Sequence, residues 1–244
     1  TPKPSSAASD VYKRQPLHWS GAVRIVSDPP MKHRRDDRAT WLVSTLISEL
    51  QAARHKALLI SPYFVPGNEG LDGFSAMAGR GVQVGVVTNS LAANDVAAVH
   101  GGYMGYRVPL LEAGVHLYEL KAQGQSGDAG VFGSSGASLH TKAFLIDDRR
   151  GFVGSFNLDP RSAYLNTEMG VLFDDPVLGT QLRDEYLRLA DPRHSWWLAL
   201  DDRRRLRWLE REPPPHWVEA EPGATARKRW LSRVISWLPV ESQL

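Results

Sequence analysis

This sequence predicts an α/β fold with a mixed, mostly parallel sheet flanked by helices, and three observations carry that expectation. Short aliphatic runs of strand length alternate with segments whose apolar residues recur at helical spacing. From residue 56 to residue 90 the order is strand, helix, strand, as in a parallel pair joined by a helical crossover. A chain of 244 residues that is 42% hydrophobic and 23% charged is also large enough to bury a proper core. The composition excludes other classes. With no Cys there is no disulfide framework, thiolate metal site or Cys nucleophile. The apolar runs fall well short of the ~18 residues of a spanning helix.

The elements follow in order. Residues 1–15, TPKPSSAASDVYKRQ, lack apolar periodicity and resemble translated adaptor sequence, so they are expected to be a non-native or disordered leader. Over residues 36–55 an acidic start and the spacing of Trp41, Leu42, Thr45, Leu46 and Leu50 predict an amphipathic helix. KALLISPYF reads as a short buried strand ending at Pro62, followed by a Gly-punctuated helix around residues 71–78 and the strand VQVGVVTNS. Asn94 is placed to cap the next helix, which runs toward Gly114 with His100 at an exposed position, and VHLYEL supplies a third strand. A Gly/Ser loop, KAQGQSGDAGVFGSSGAS, leads into LHTKAFLID and GFVGSFN, two adjacent strands, after which Glu168 opens the strand MGVLF. PVLGTQLRDEYLRLA reads as a helix with Leu178, Leu182, Tyr186 and Leu189 on one face. The body is expected to span residues 16–191, leaving 192–244 as a helical tail that holds six of the eight Trp, mixed with Arg.

The chemistry concentrates in residues 139–168. A strand sends His140 and Lys142 to the same face, roughly 7 Å apart at Cα, because side chains alternate with period two. Lys142 is a compact cation suited to a phosphate oxygen, and its charge argues against a metal centred on His140. The returning strand brings Gly154, which permits close backbone approach, the Ser155 hydroxyl and the Asn157 amide alongside, completing an anion cradle. A working His needs an acceptor on its second ring nitrogen, and Glu168 is the candidate. These parts suit phosphoryl transfer by positioning and electrostatics, with no metal and no cofactor. Asp147 falls on the opposite strand face and is assigned a structural role.

The spacing His-x-Lys-x4-Asp-x6-Gly-Ser-x-Asn, here His140, Lys142, Asp147, Gly154, Ser155 and Asn157, resembles the HKD signature of the phospholipase D superfamily. Its chance occurrence in a chain of this size is on the order of 10⁻⁶ to 10⁻⁵. SDPPMK, LLISPYFVP, TNSLAANDVAAVHGGY, LYELK, GSFNLDPRSAYLNTEMG and LPVE extend the likeness to the carboxy-terminal half of bacterial cardiolipin synthases of the C type. The resemblance implies a phospholipase D-like half-domain that pairs with a second half about a pseudo-twofold axis, so that two His residues meet at one phosphate. It implies phosphatidyl transfer between phospholipid alcohols through a phosphohistidine. His140 would be the general acid and base, Lys142, Ser155 and Asn157 would grip phosphate, and Glu168 would orient the ring. Phospholipids of the phosphatidylglycerol and phosphatidylethanolamine class are the implied substrates, and the implied location is the surface of the bacterial inner membrane. No second His-x-Lys occurs in the chain. The missing His is expected on an absent amino-terminal half or, in an alternative reading as a single-motif phosphodiesterase or nuclease acting on nucleic acid, on a homodimer mate.

The net charge of +2 decides little, but DDRRRLRW and ARKRWLSR crowd basic residues and Trp near the carboxy terminus, which suits an anionic partner. In ARKRWLSRVISWLPV, Trp230, Leu231, Val234, Ile235 and Leu238 line one side, with Arg227, Lys228, Arg229 and Arg233 around the rest. Two readings of this helix stand side by side: Trp packed on the body, or Trp and Arg laid in a membrane interface.

Overall fold

The computed structural model describes residues 18–34, 37–94, 96–122, 139–210 and 214–236. The expected leader, the Gly/Ser loop over residues 123–138, and Trp237 and Leu238 lie outside them. In chain order the elements are β1 (Val23–Ser27), α1 (Leu42–Gln51), β2 (Lys56–Ile60), α2 (Gly67–Gly79), β3 (Gln83–Asn89), α3 (Ala97–Met104) and α4 (Arg107–Glu112). There follow β4 (His116–Leu120), β5 (Lys142–Ile146), β6 (Arg150–Gly154), α5 (Pro160–Tyr164), β7 (Met169–Asp174), α6 (Pro176–Ala190), β8 (Ser195–Leu200), β9 (Leu206–Glu210), β10 (His216–Val218) and α7 (Ala226–Ile235). The described strands form one sheet in the order β1-β7-β6-β5-β2-β3-β4-β8-β9-β10.

The central strands are buried on both faces, which is why KALLI and QVGVV read as continuous apolar runs. On one face, Leu42, Leu46 and Leu50 of α1, Phe74 and Met77 of α2, and Tyr103 and Leu110 of α3 and α4 pack over Ala57, Leu59, Val84, Val86, Phe144 and Phe152. On the other, Leu182, Tyr186 and Leu189 of α6 cover Leu58, Ile60, Val87 and Leu145, the face expected of that helix. Gly85 lacks a Cβ where the Tyr186 hydroxyl would stand 2.2 Å from it, so helix and sheet meet closely there.

The sheet is mixed, as expected, but the expected majority of parallel pairs is not what the described strands form. Only β2–β3 and β3–β4 run parallel, and the other seven neighbouring pairs are antiparallel. The reason is connection length. A parallel pair needs a crossover of a dozen or more residues, whereas β5 and β6 are joined across Asp147, Asp148 and Arg149 alone. The helix expected over residues 36–55 is shorter, preceded by a 3₁₀ turn at Arg38–Thr40. Asn94 does not occupy the cap of α3: its Oδ1 accepts from the Val96 amide at 2.9 Å in the turn just ahead, and Val96 is the capping residue.

The tail is not helical throughout. β8 pairs with β4, and β9 and β10 extend the same sheet, with α7 the one helix described beyond residue 191. Alternation accounts for this: along SWWLAL and LRWLE, Leu198 and Trp208 enter the core while Trp197 hydrogen-bonds the Ala190 carbonyl at 2.7 Å. A buried ionic cluster fastens the tail. Arg107 bridges Glu119 of β4 at 3.1 Å and Glu221 at 2.6 Å, and the Trp208 indole donates to Glu119 at 2.8 Å. Burial pushes the Glu119 carboxyl up despite Arg107, whereas at Glu221 the Arg107 charge overcomes burial and holds the carboxyl low.

Asp147 lies in the turn that joins β5 to β6. Asp147 and Asp148 take positive φ (51° and 57°) in the β5–β6 turn, a conformation that Asp tolerates. The Asp147 carboxylate accepts from the amides of Arg54 (3.1 Å), His55 (2.8 Å) and Lys56 (2.9 Å), satisfying the backbone that enters β2. Burial acts to raise this carboxyl, but the Lys56, His55 and Arg54 amides outweigh it and hold the group below its ordinary value. Asp147→Asn replaces one acceptor oxygen by a donor and should lower stability by about 1–2 kcal/mol in urea denaturation at neutral pH. Because the folded-state value is the lower one, this contribution is present above the unfolded pKa and lost as pH falls through the folded value. The wild-type advantage over Asp147→Asn should therefore shrink on acidification.

Candidate active site at one end of the sheet

Topology brings the motif to one end of the sheet. β2 and β3 run parallel, and β5 runs against β2 with Ile60 opposite Ala143, so the start of β5 lies beside the ends of β2 and β3. Lys142 pairs with Gly154, and Gly154 with Gly170, which sets the end of β6 and the start of β7 in the same row. His140 precedes β5 and is exposed, while Lys142 is buried. They share a side as expected: the Lys142 ammonium donates to the His140 carbonyl at 2.7 Å and approaches the ring Nδ1 at 3.4 Å.

The backbone under His140 is held from β3. The Asn89 Oδ1 accepts from the Leu139 amide at 3.0 Å, and its Nδ2 donates to the Leu139 carbonyl at 3.3 Å. Asn89 is itself buried, so this pair of bonds fixes where the residue before His140 can go.

Glu168 is the hub of the polar network. It is 6% exposed. It accepts from the hydroxyl of Ser155 in a very short bond, from the Ser162 hydroxyl at 3.1 Å and from the Asn166 amide at 3.3 Å. The expected bond to the His140 ring is not among these, because Ser155 and the α5 turn occupy the carboxylate first. Ser155 likewise differs from expectation: its hydroxyl is engaged by Glu168 and accepts from the Met169 amide at 3.0 Å. The Asn157 side-chain Oδ1 is buried without a hydrogen-bond partner, while its backbone N–H donates to the Ser162 hydroxyl at 3.3 Å.

Gly154 is closely packed. A Cβ there would stand 2.5 Å from the Met169 carbonyl and 2.5 Å from the Phe152 ring, which folds over the strand and stacks on Phe144 at 5.6 Å. α5 is capped by Asp159, whose carboxylate accepts from the Ser162 amide at 2.7 Å, and burial raises that carboxyl above its ordinary range. In this segment the Leu165 and Asn166 amides donate to the Arg161 carbonyl.

Behind Glu168 lies a pair that motif reading missed. Lys32, fully buried, donates to Asp28 at 2.6 Å and to the Ser162 carbonyl at 2.7 Å. Asp28 also accepts from the amides of Leu42 (2.8 Å) and Glu168 (2.9 Å). The signal in the sequence is SDPPMK, whose carboxylate and amine stand one helical turn apart. His100 also departs from expectation: it is 1% exposed, because the segment carrying Glu221 folds over α3 and places Oε2 3.4 Å from His100 Nε2. An apolar groove of about 390 Å³ runs beside the motif between α1, α2 and α5, walled by Leu46, Leu50, Phe74, Phe156 and Leu158.

A sheet that gathers this His, Lys and Asn at one end defines a phospholipase D-like domain. The fold is shared with a phospholipase D family member, Nuc from Salmonella typhimurium (TM-score 0.52, 15% identity, 68% of this chain and 92% of that one). It is shared too with phosphatidylserine synthase of Haemophilus influenzae Rd KW20 (TM-score 0.52, 17% identity, 75% of this chain and 41% of that one). Residues 46–190 match the family described as cardiolipin synthase, PLD-like domain, and the chain belongs to that family. It is 40% identical over 232 residues to cardiolipin synthase C of Escherichia coli K12, a match covering 93% of this chain and 49% of that protein. Cardiolipin synthase A of Yersinia pestis bv. Antiqua is 32% identical over 145 residues, 58% of this chain and 26% of that protein. The chain thus spans about half, or less, of the length of these relatives.

Removing one partner of the buried pair behind Glu168 strands the other charge. Lys32→Met is expected to cost about 3–5 kcal/mol in urea denaturation, and the double variant Asp28→Asn, Lys32→Met to recover part of that loss. A single variant as stable as wild type would refute a charge-compensating role for Lys32.

Proposed function

We propose that this chain is the carboxy-terminal half of a cardiolipin-synthase-type phosphatidyltransferase, working on phospholipid phosphodiesters at the bacterial inner membrane. The observation that carries the reading is His140 and Lys142 together at one end of the sheet, with Lys142 opposite Gly154, the residue from which the chain runs on to Asn157. Membership of the cardiolipin synthase family supports the phospholipid substrate, and so does the apolar groove beside Asn157, which suits a molecule with a hydrocarbon part.

In this reading a His of the absent half attacks phosphorus, forming an N–P bond as the bond to the leaving glycerol oxygen breaks. His140 gives its proton to that oxygen. It then takes the proton of the incoming alcohol, whose oxygen displaces the histidine and completes the transfer. Lys142 and Asn157 neutralise charge on the phosphoryl oxygens. Glu168 acts through Ser155, keeping the end of β6 in place.

The test is cardiolipin formation from phosphatidylglycerol by the natural full-length protein. His140→Ala should reduce it by about 10²–10⁴-fold and Lys142→Ala comparably. The chain by itself should bind tungstate, seen as a shift of the His140 ring resonances that Lys142→Ala abolishes, without turning over lipid. Retention of activity within tenfold in His140→Ala would overturn the assignment. Cleavage of single-stranded DNA by the chain alone, with no transfer from phosphatidylglycerol, would favour the homodimeric phosphodiesterase.

A further inference from the structure

α7 is docked with its apolar side outward. The helix starts at Thr225, whose hydroxyl accepts from the Lys228 amide at 3.3 Å. Lys228 reaches inward, its ammonium donating to the carbonyls of Ala92 (3.3 Å) and Asn94 (3.2 Å). Arg229 donates to the Glu221 carbonyl at 3.4 Å. Ser232 is fully buried, and Ile235 lies over α3 at Gly101, where a Cβ would stand 3.0 Å from the Ser232 carbonyl. At ~100° per residue these inward positions leave Arg227, Trp230, Leu231 and Val234 on the opposite side. Trp230 is 67% exposed and Leu231 40%, and Arg227 and Arg233 are exposed beside them. A Trp left this bare on a well-anchored helix is not explained by packing among the described residues.

The placement of this face gives it meaning. Lys228 grips the turn that follows β3, and Asn89 at the end of β3 holds Leu139 beside His140. The outward face of α7 therefore lies at the same end of the sheet as the candidate active site.

We propose that α7 is an interfacial helix that docks this end of the molecule on an anionic lipid surface. Trp230, Leu231 and Val234 enter the boundary between headgroups and chains, and Arg227 and Arg233 meet lipid phosphates. The apolar stripe flanked by arginines fits a lipid interface better than a nucleic acid, whose phosphates would leave Leu231 and Val234 in water. This surface is independent of the chemistry at His140, so each can fail without the other.

The experiment is flotation of the chain with vesicles of phosphatidylcholine alone and of phosphatidylcholine mixed with phosphatidylglycerol. Wild type should float with the anionic vesicles and not with the neutral ones. Each basic residue near an anionic leaflet is worth about fivefold in partitioning, so Arg227→Ala with Arg233→Ala should weaken binding by roughly 30-fold. Trp230→Ala should weaken it several-fold, and His140→Ala should leave it unchanged. A second readout needs only a mild variant: the difference in indole emission between wild type and Trp230→Phe should shift to the blue on adding anionic vesicles. Absence of flotation, equal binding by the arginine variants, an unchanged difference spectrum, or arginine variants that lose DNA binding and keep vesicle binding would each overturn the proposal.

Discussion

One carboxylate holds the motif end of this molecule together. Glu168 is buried, and its charge is balanced by neutral donors from three places: Ser155 after β6, Ser162 on α5 and Asn166 just before β7. Its own amide and carbonyl are tied to Asp28 after β1. A buried anion must collect such donors or lose its charge, so the ends of β1 and β6 and the starts of α5 and β7 are drawn to one point. Lys32 completes the arrangement by pairing with Asp28 and by bonding the carbonyl of the same Ser162 that donates to Glu168. Such buried pairs contribute little net stability compared with apolar replacements, and what they add here is a defined geometry.

The polar network is arranged around the candidate reacting groups without using them up. Glu168, Ser155 and Ser162 satisfy one another, while His140 is exposed and the Asn157 Oδ1 lacks a partner. Asn89 fixes the backbone before His140 from another strand, and the Lys142 ammonium bonds the His140 carbonyl. On the proposed reading, this is a preorganised half-site whose second His comes from elsewhere. The arrangement suits catalysis by electrostatics, since donors fixed in advance need no reorganisation when charge develops.

Beyond residue 191 the chain behaves as part of the same body. Glu119 on β4 is bonded by Arg107 from α4 and by Trp208 from β9, and Arg107 in turn holds Glu221. Arg107 also lies over the rings of Tyr103 (5.4 Å) and Trp208 (5.3 Å), so a cation with two carboxylate partners and two aromatic faces joins helix, sheet and tail. That anchorage lets α7 present Trp230 outward without coming loose, because Lys228 and Ile235 already fasten its other side.

The sequence by itself determined the α/β class and most of the strands and helices through β7 and α6, and it singles out His140, Lys142 and Asn157 as the candidate constellation. These are legible because they depend on local spacing: period two brings His140 and Lys142 to one side, and helical spacing lays Leu182, Tyr186 and Leu189 on the core. Only the tertiary structure decided which way neighbouring strands run, that β8 to β10 extend the sheet, and that Glu168 spends its charge on Ser155, Ser162 and Asn166. It also decided that His100 is buried under Glu221, 121 residues later in the chain, and that Lys32 lies beneath Ser162, 130 residues away. The physical reason is common to all of these. A polar group's partner is whatever the folded chain brings within about 3 Å, and spacing along the chain carries no record of groups that meet only across a sheet.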